Sequence, residues 1–483
     1  MRPFRHRCPG PGGPRGPGPS APTREVLHRC LQLSDPQATS SGPAAPGRRL
    51  ILILALACGI GVANIYFPQA ISPLIADGLG VSPGAAASAV TASQFGYALG
   101  IFLLVPLGDR IAHRRLVPAL LGITGLGLVV AGSAPGLAVL VAASAVIGAA
   151  TVVPQVIIPM AAGLVSEGRR GAVTGTLLSG LIGGILLART FSGSLGEWLG
   201  WRAPYYVAAA LMLGLAAVMA VALPATAPTS SERYPRLVTG SLRLLREEPA
   251  LRRTCVYQAA VFAGFSAAWT SLALYVTGPA FGMGSSVVGL IALVGAGSMF
   301  STPIAGRRVD RGGPDPVTLV CLLGTLAAAG ILAFGTLHGI AGLVILTVGM
   351  LVLDVAVQSG QVANQGRIFA LRPEARGRIN TAYMTCAFLG GSAGSWLGVR
   401  AYGLLGWGGV AGLVAVLGAL ALVRHLRHMW RARRTGPDGA NGTDGMARTD
   451  GMARTDGTDG TDGTSVGGSA AAASCGHGRQ EAS

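Results

Sequence analysis

Charged and amide side chains are scarce in this chain, so each one inside an apolar run is a candidate for chemistry. Arg189 lies within the run 172–196 and Asp354 within the run 340–365. A charge at bilayer depth costs about 2.5 to 3.5 kcal/mol on the insertion scale and usually faces water or a partner. Asp354, Gln358 and Gln361 are four and three residues apart, so they project from one helical face that should line a cavity. At 1.5 Å per residue, Asp354 falls roughly 18 to 20 Å from the Arg-rich end of its helix and Arg189 about 25 Å from that of its own, an offset an arginine side chain can bridge. These two are therefore the candidates for a coupling site, the carboxylate exchanging protons as substrate binds. Burial disfavours the carboxylate ion and a guanidinium favours it, and substrate entry can tip that balance. A fixed structural pair, or two unrelated charges each facing water, remains the alternative.

Further polar residues inside apolar runs are cavity candidates: Asn64, Tyr66, Gln69, Gln94, Tyr97 and Gln155 in the first half, Gln258, Gln358, Gln361, Asn380 and Tyr383 in the second. Uncharged amides serve equally well as substrate contacts or as hydrogen bonds between helices. Other chemistries are excluded by composition. All 37 positive residues are Arg, so there is no P-loop lysine and no lysine Schiff base. The seven Cys and seven His are scattered without metal-ligand spacing, so no metal, cofactor or disulfide framework is expected, and the chain is not read as an enzyme.

The elements that must position these residues are membrane spans. Of 483 residues, 51% are hydrophobic and only 12% charged, with a mean hydropathy of +0.54. A soluble domain has about 25% charged residues. Crossing the roughly 30 Å hydrocarbon core takes about 20 mostly apolar residues, and twelve such runs occur: 51–76, 85–107, 116–134, 137–164, 172–196, 203–223, 253–277, 286–306, 316–337, 340–365, 378–399 and 406–424. The fold class is all-helical, with twelve transmembrane helices in two pseudo-symmetric six-helix bundles, 49–223 and 253–430, joined by a polar linker, 224–252. Residues 1–48 and 431–483 read as disordered tails: the first is rich in Pro, Gly and Arg, and the second repeats DGMART from Asp444 and again from Asp450.

Positive connectors stay on the cytoplasmic side. Arg110, Arg114 and Arg115 follow run two, Arg169 and Arg170 run four, Arg307, Arg308 and Arg311 run eight, and Arg367, Arg372, Arg376 and Arg378 run ten, whereas the alternate connectors hold little beyond Arg202 and Arg400. Both termini and the linker are therefore expected in the cytoplasm, in a multi-pass protein of the plasma (inner) membrane. The net charge of +17 is mostly topological and dispersed, which does not suit nucleic acid. The expected partners are a small-molecule substrate and the lipid bilayer, with the chain a monomer.

Internal repetition supports the two halves. Gln155-Val156 precedes Arg170-Gly171 by the same distance as Gln361-Val362 precedes Arg376-Gly377, and Gly184 then corresponds to Gly390. The loop after run two carries Asp109, Arg110, Arg114 and Arg115, and the loop after run eight carries Gly306, Asp310, Arg311 and Gly313. These resemble the Gly-x-x-x-Asp-Arg-x-Gly-Arg-Arg motif of the major facilitator superfamily, with Val105 and Ala112 standing where the family has Gly. The resemblance implies an alternating-access secondary transporter in which these eight residues latch the two halves. Gly184 to Gly193 resembles the antiporter signature Gly-x-x-x-Gly-Pro-x-x-Gly-Gly, but Ala188, Arg189 and Ser192 replace Gly, Pro and Gly, and the arginine of the family's fourth helix has no equivalent. Similarity to the twelve-helix drug/proton antiporter branch implies proton-coupled export of small amphipathic molecules, driven by the proton gradient alone. Uptake or exchange of a small organic anion held by Arg189 is the alternative. A polytopic sensor or membrane enzyme would need an appended domain or a His and carboxylate cluster that the chain lacks.

Overall fold

A computed structural model describes residues 47–224, 232–337, 339–372 and 375–434. The N-terminal Pro-, Gly- and Arg-rich segment, residues 225–231 of the linker and the DGMART repeats lie outside the described residues. Within them, the chain is helical throughout. Ten helical stretches run Arg48–Leu79, Pro83–Asp109, His113–Gly132, Leu137–Gly163, Arg169–Leu199, Ala203–Ala222, Pro249–Thr277, Ser285–Gly312, Pro314–Thr336 and Gly339–Phe369. They are called spans one to ten.

The last helix, Arg376–Arg434, contains two spans. Gly406 at φ +63° breaks it, a backbone conformation that costs glycine nothing and a residue with a Cβ considerably more. The direction of the chain reverses there. Gly390, Gly394 and Gly398 climb span seven in step with Ala259, Ala263 and Ala267, whereas Val414 lies against Gly264 and His425 against Tyr257. Residues 376–405 are span eleven and the helix after Gly406 is span twelve.

Helix ends extend past the apolar runs because backbone bonding continues after hydropathy falls. Two expectations change as a result. The second copy of the loop motif is not a loop at its start: Gly306, Asp310 and Arg311 lie inside helix Ser301–Gly312, which Gly313 terminates at φ +77°. Arg367 is likewise not a connector residue, since span ten continues to Phe369 and buries it. Span one is interrupted. Asn64 bonds back to the carbonyls of Ile60 and Gly61, and a new helix starts at Phe67 with Pro68 in its first turn, where a missing N–H does no harm. The linker holds helix Tyr234–Glu247, whose Leu237, Ser241 and Leu244 face inward at helical spacing.

Small residues decide which helices touch. Span five packs on span one so closely that a Cβ at Gly184 would collide with the Gly59 carbonyl, and one at Gly180 with that of Ala55. Span eleven repeats this against span seven through Gly390 and Gly394. In lipid there is no hydrophobic drive between helices, and close backbone approach supplies the dispersion contact instead. Spans two and four, three and six, and nine and ten also pair. Contacts between the first six spans and the last six include those from five to eight and from the second helix of span one to seven and eight.

Candidate functional site

The interruption of span one and the tight seating of span five on it bring Tyr66, Gln69 and Arg189 together. Arg189 lies five residues beyond Gly184 and is 2% exposed. Its Nε donates to Gln69 Oε1 at 2.8 Å. Its guanidinium carbon stands 4.7 Å from the Tyr66 ring centre and 4.2 Å from that of Trp269, with Phe265 at 5.8 Å. Aromatic faces attract a desolvated cation by about 2 kcal/mol, and the planar, weakly hydrated guanidinium is the cation best suited to such stacking.

Asp354 of span ten joins the same cluster from the other edge of Trp269. The indole Nε1 donates to Asp354 Oδ1 at 3.2 Å, and the carboxylate is 5% exposed. Arg189 and Asp354 form no ion pair: the Trp269 indole links them, with one charge over its face and the other at its N–H edge. This could not be read from the sequence, because depth along two helices says nothing of the side chain that links them.

Of the remaining cavity candidates, Asn64 is spent on its own helix. Gln94 and Ser266 exchange two bonds of 2.6 and 2.8 Å between spans two and seven. Gln155 donates to Tyr97 Oη and accepts from Asn380, both at 3.4 Å, linking spans two, four and eleven. Gln258 Oε1 accepts from Asn364 at 3.0 Å and from Tyr383 at 2.8 Å. Gln358 and Gln361 are half-buried and make no hydrogen bond among the described residues. The structure thus separates the amides into interhelical bonds (Gln94, Gln258) and groups left accessible (Gln358, Gln361).

Toward the Arg-poor ends of the spans, hydrogen bonds tie the first six spans to the last six. Thr190 Oγ1 donates to the Gly289 carbonyl at 2.7 Å, and Glu197 Oε2 accepts from Ser286 N at 2.7 Å, joining spans five and eight. Ser392 of span eleven donates to the Thr91 carbonyl of span two at 3.0 Å. At the Arg-rich ends, Asp109 closes the 3-10 turn Val105–Asp109, and Asp109, Arg110, Arg114 and Arg115 are all exposed. Arg114 Nε reaches the Ala220 carbonyl at 3.3 Å, and Tyr234 of the linker helix donates to the Leu103 carbonyl at 2.7 Å. Asp310 and Arg311 are exposed on their helix, and Gly306 packs near Val362.

Arg367, a connector residue by its place after run ten, is a third buried charge. Its Nη2 bonds Asp315 Oδ1 at 2.7 Å and Thr318 Oγ1 at 3.0 Å, and its Nη1 bonds Asn364 Oδ1 at 3.0 Å, continuing the Gln258 and Tyr383 network. His425, just past the last apolar run, is fully buried with Nε2 3.1 Å from the Asp315 carbonyl. The available signal was Arg367 at three residues from Asn364, on the same helical face.

Helices that satisfy their own backbone bonds, broken where buried charges gather, define a multi-pass membrane protein with a polar site at its centre. The chain belongs to the major facilitator superfamily, whose model matches residues 51–395, and is a secondary transporter of that family. It is 36% identical over 382 residues to an uncharacterized transporter, YgaY, of Escherichia coli O157:H7, covering 79% of this chain and 95% of that one. The chloramphenicol resistance protein of Streptomyces lividans is more distant, 30% identical over 287 residues, 58% of this chain and 71% of the other. The crystal structure of the nucleoside transporter NupG shares the fold with a TM-score of 0.61 at 15% identity, covering 80% of this chain and 99% of that chain.

Proposed function

We propose that this transporter exports small amphipathic molecules in exchange for protons. The observation that carries this reading is the central cluster: two opposite charges, each buried at bilayer depth and neither neutralised by the other, held against aromatic faces where the two six-helix halves meet. Unpaired charges at such depth are costly and typically functional. Asp354 carries the proton, and Arg189 keeps the site polar when the carboxylate is neutral. A resistance protein among the more distant relatives supports a drug-like cargo. The positive-inside rule applied to the Arg-rich connectors supports cytoplasmic termini and linker, and in that orientation the contacts of Thr190, Glu197 and Ser392 belong to the outer side. Asp109, Arg110, Arg114 and Arg115, with Gly306, Asp310, Arg311 and Gly313, act as the latch released as the halves rock about the site in a monomer.

The test is transport in inside-out vesicles, scoring a panel of cationic dyes and organic anions with and without a proton gradient. Accumulation that collapses with the gradient supports exchange. Accumulation indifferent to the gradient refutes it.

A further inference from the structure

The central cluster carries more than two charges: it carries unmet hydrogen-bonding valences with fixed directions. Arg189 Nε is an obligate donor, so the Gln69 atom it meets must be the carbonyl oxygen, and the Gln69 amide nitrogen is left over. That nitrogen and Arg189 Nη2 are both buried and have no acceptor. Nε and Nη2 share one edge of the guanidinium, the edge that grips carboxylates bidentately. With Gln69 Oε1 on Nε, the two unmet donors belong to groups already joined by that 2.8 Å bond. The faces of the guanidinium are covered by Tyr66 and Trp269, so a ligand reaches it only along its edges.

Asp354 faces the opposite demand. Its one hydrogen bond is with Trp269 Nε1 at 3.2 Å, and a carboxylate has about four acceptor positions. Both charges contact the Trp269 indole, at 4.2 Å from its centre and 3.2 Å from its N–H, but no guanidinium nitrogen comes within 4.0 Å of the carboxylate, so they are not bonded to each other. Two opposite charges that do not bond each other suit a molecule with an anionic and a cationic end, each end taking its own hydrogen bond. A simple anion would leave Asp354 facing a like charge, and a simple cation would leave the two donors unmet.

We infer that the site binds a small zwitterion, its carboxylate on Arg189 Nη2 and Gln69 Nε2, its ammonium group on Asp354, and its apolar body against Trp269 and Phe265. This rests on the transporter reading and names its cargo class: an amine competes with the proton for Asp354, as exchange requires, while the carboxylate supplies selectivity through Arg189.

Equilibrium binding to the purified full chain, with no proton gradient, tests it with three probes of one size: L-phenylalanine, phenethylamine and 3-phenylpropionate. Phenylalanine is expected to bind at least tenfold more tightly than either of the others. Arg189→Gln should erase its advantage over phenethylamine, and Asp354→Asn its advantage over 3-phenylpropionate. Gln69→Leu, which alters no charge, should weaken phenylalanine and 3-phenylpropionate five- to twentyfold and leave phenethylamine unchanged. This variant also guards against a misfolded Arg189 substitution, and thermal denaturation of each variant checks the fold. Equal binding of phenylalanine and either single-charge probe, or no phenylalanine binding, overturns the inference. Proton-driven dye export without zwitterion preference would overturn this site and leave exchange standing, whereas zwitterion binding that never couples to protons would refute exchange and leave the site standing.

Discussion

Replacing Asp354 by Asn separates a coupling carboxylate from a structural one, because the two roles predict opposite changes in stability. The Asn carbonyl can still accept from Trp269 Nε1, so the 3.2 Å bond survives in neutral form. Hydrogen bonds to charged groups contribute about 1.5 to 3 kcal/mol and neutral ones about 0.5 to 1.5, a loss of about 1 kcal/mol. Against this stands relief from holding a charge at bilayer depth, about 2.5 to 3.5 kcal/mol on the insertion scale. The variant should be about 1.5 to 2.5 kcal/mol more stable in thermal denaturation, by the difference of these two contributions. Had Asp354 been one half of a buried ion pair with Arg189, removing it would cost about 3 to 5 kcal/mol by orphaning the guanidinium. Transport should respond in the other direction: proton-driven accumulation in reconstituted vesicles should vanish, while binding through Arg189, read with 3-phenylpropionate, should persist. A variant destabilised by several kcal/mol would refute the separation of the two charges at Trp269. One that accumulates substrate with normal proton stoichiometry would move coupling elsewhere, with Asp109 the next candidate.

Asp109→Asn and Asp310→Asn should each slow turnover more than they lower membrane abundance, measured as transport per surface molecule; unchanged transport in both and in the double variant would leave only a topological role. Gly184→Val should lower thermal stability by at least about 1 to 3 kcal/mol, since its side chain must displace the Gly59 carbonyl, whereas Gly183→Ala, with open space beside it, should be neutral or gain about 0.5 to 1 kcal/mol. A reporter fused after Gly436 should report the cytoplasm, and a periplasmic signal would invalidate the orientation. In the linker, the hydrogen bond from Arg243 holds the Glu247 carboxyl below its ordinary value, and Arg372 approaches the same group. A lowered carboxylate favours the folded state above its unfolded value of about 4.3 and loses that contribution as pH falls through the folded one. Hydrogen exchange of helix Tyr234–Glu247 should therefore be flat from pH 5 to 8, apart from the intrinsic exchange rate, and its protection should drop below about pH 4.

Much of the architecture is written along the chain because lipid imposes a one-dimensional rule: every span must be long, apolar and helical. Twelve runs are countable on that basis, and the reversal at Gly406 falls where the last run begins. Their ends are less legible, since hydropathy fades before backbone bonding does, and that is why Arg367 and the second motif copy moved from connector into helix. Glycine spacing in spans five and eleven permits close packing, although which helices they meet depends on three-dimensional neighbours.

Arg189 and Asp354 stand out in the sequence alone, because a charge in an apolar run is costly wherever it points. Helical periodicity also puts Asp354, Gln358 and Gln361 on one face. What periodicity along a single helix cannot specify is the register between helices, which follows from how small residues let backbones approach. Only the tertiary structure sets Trp269 against both charges, gives Gln69 to Arg189, pairs Arg367 with Asp315 and buries His425 against Tyr257. The residues able to do chemistry were determined by composition; which valences they leave unmet was decided by packing, because a hydrogen bond is satisfied or orphaned by a neighbour remote in the chain.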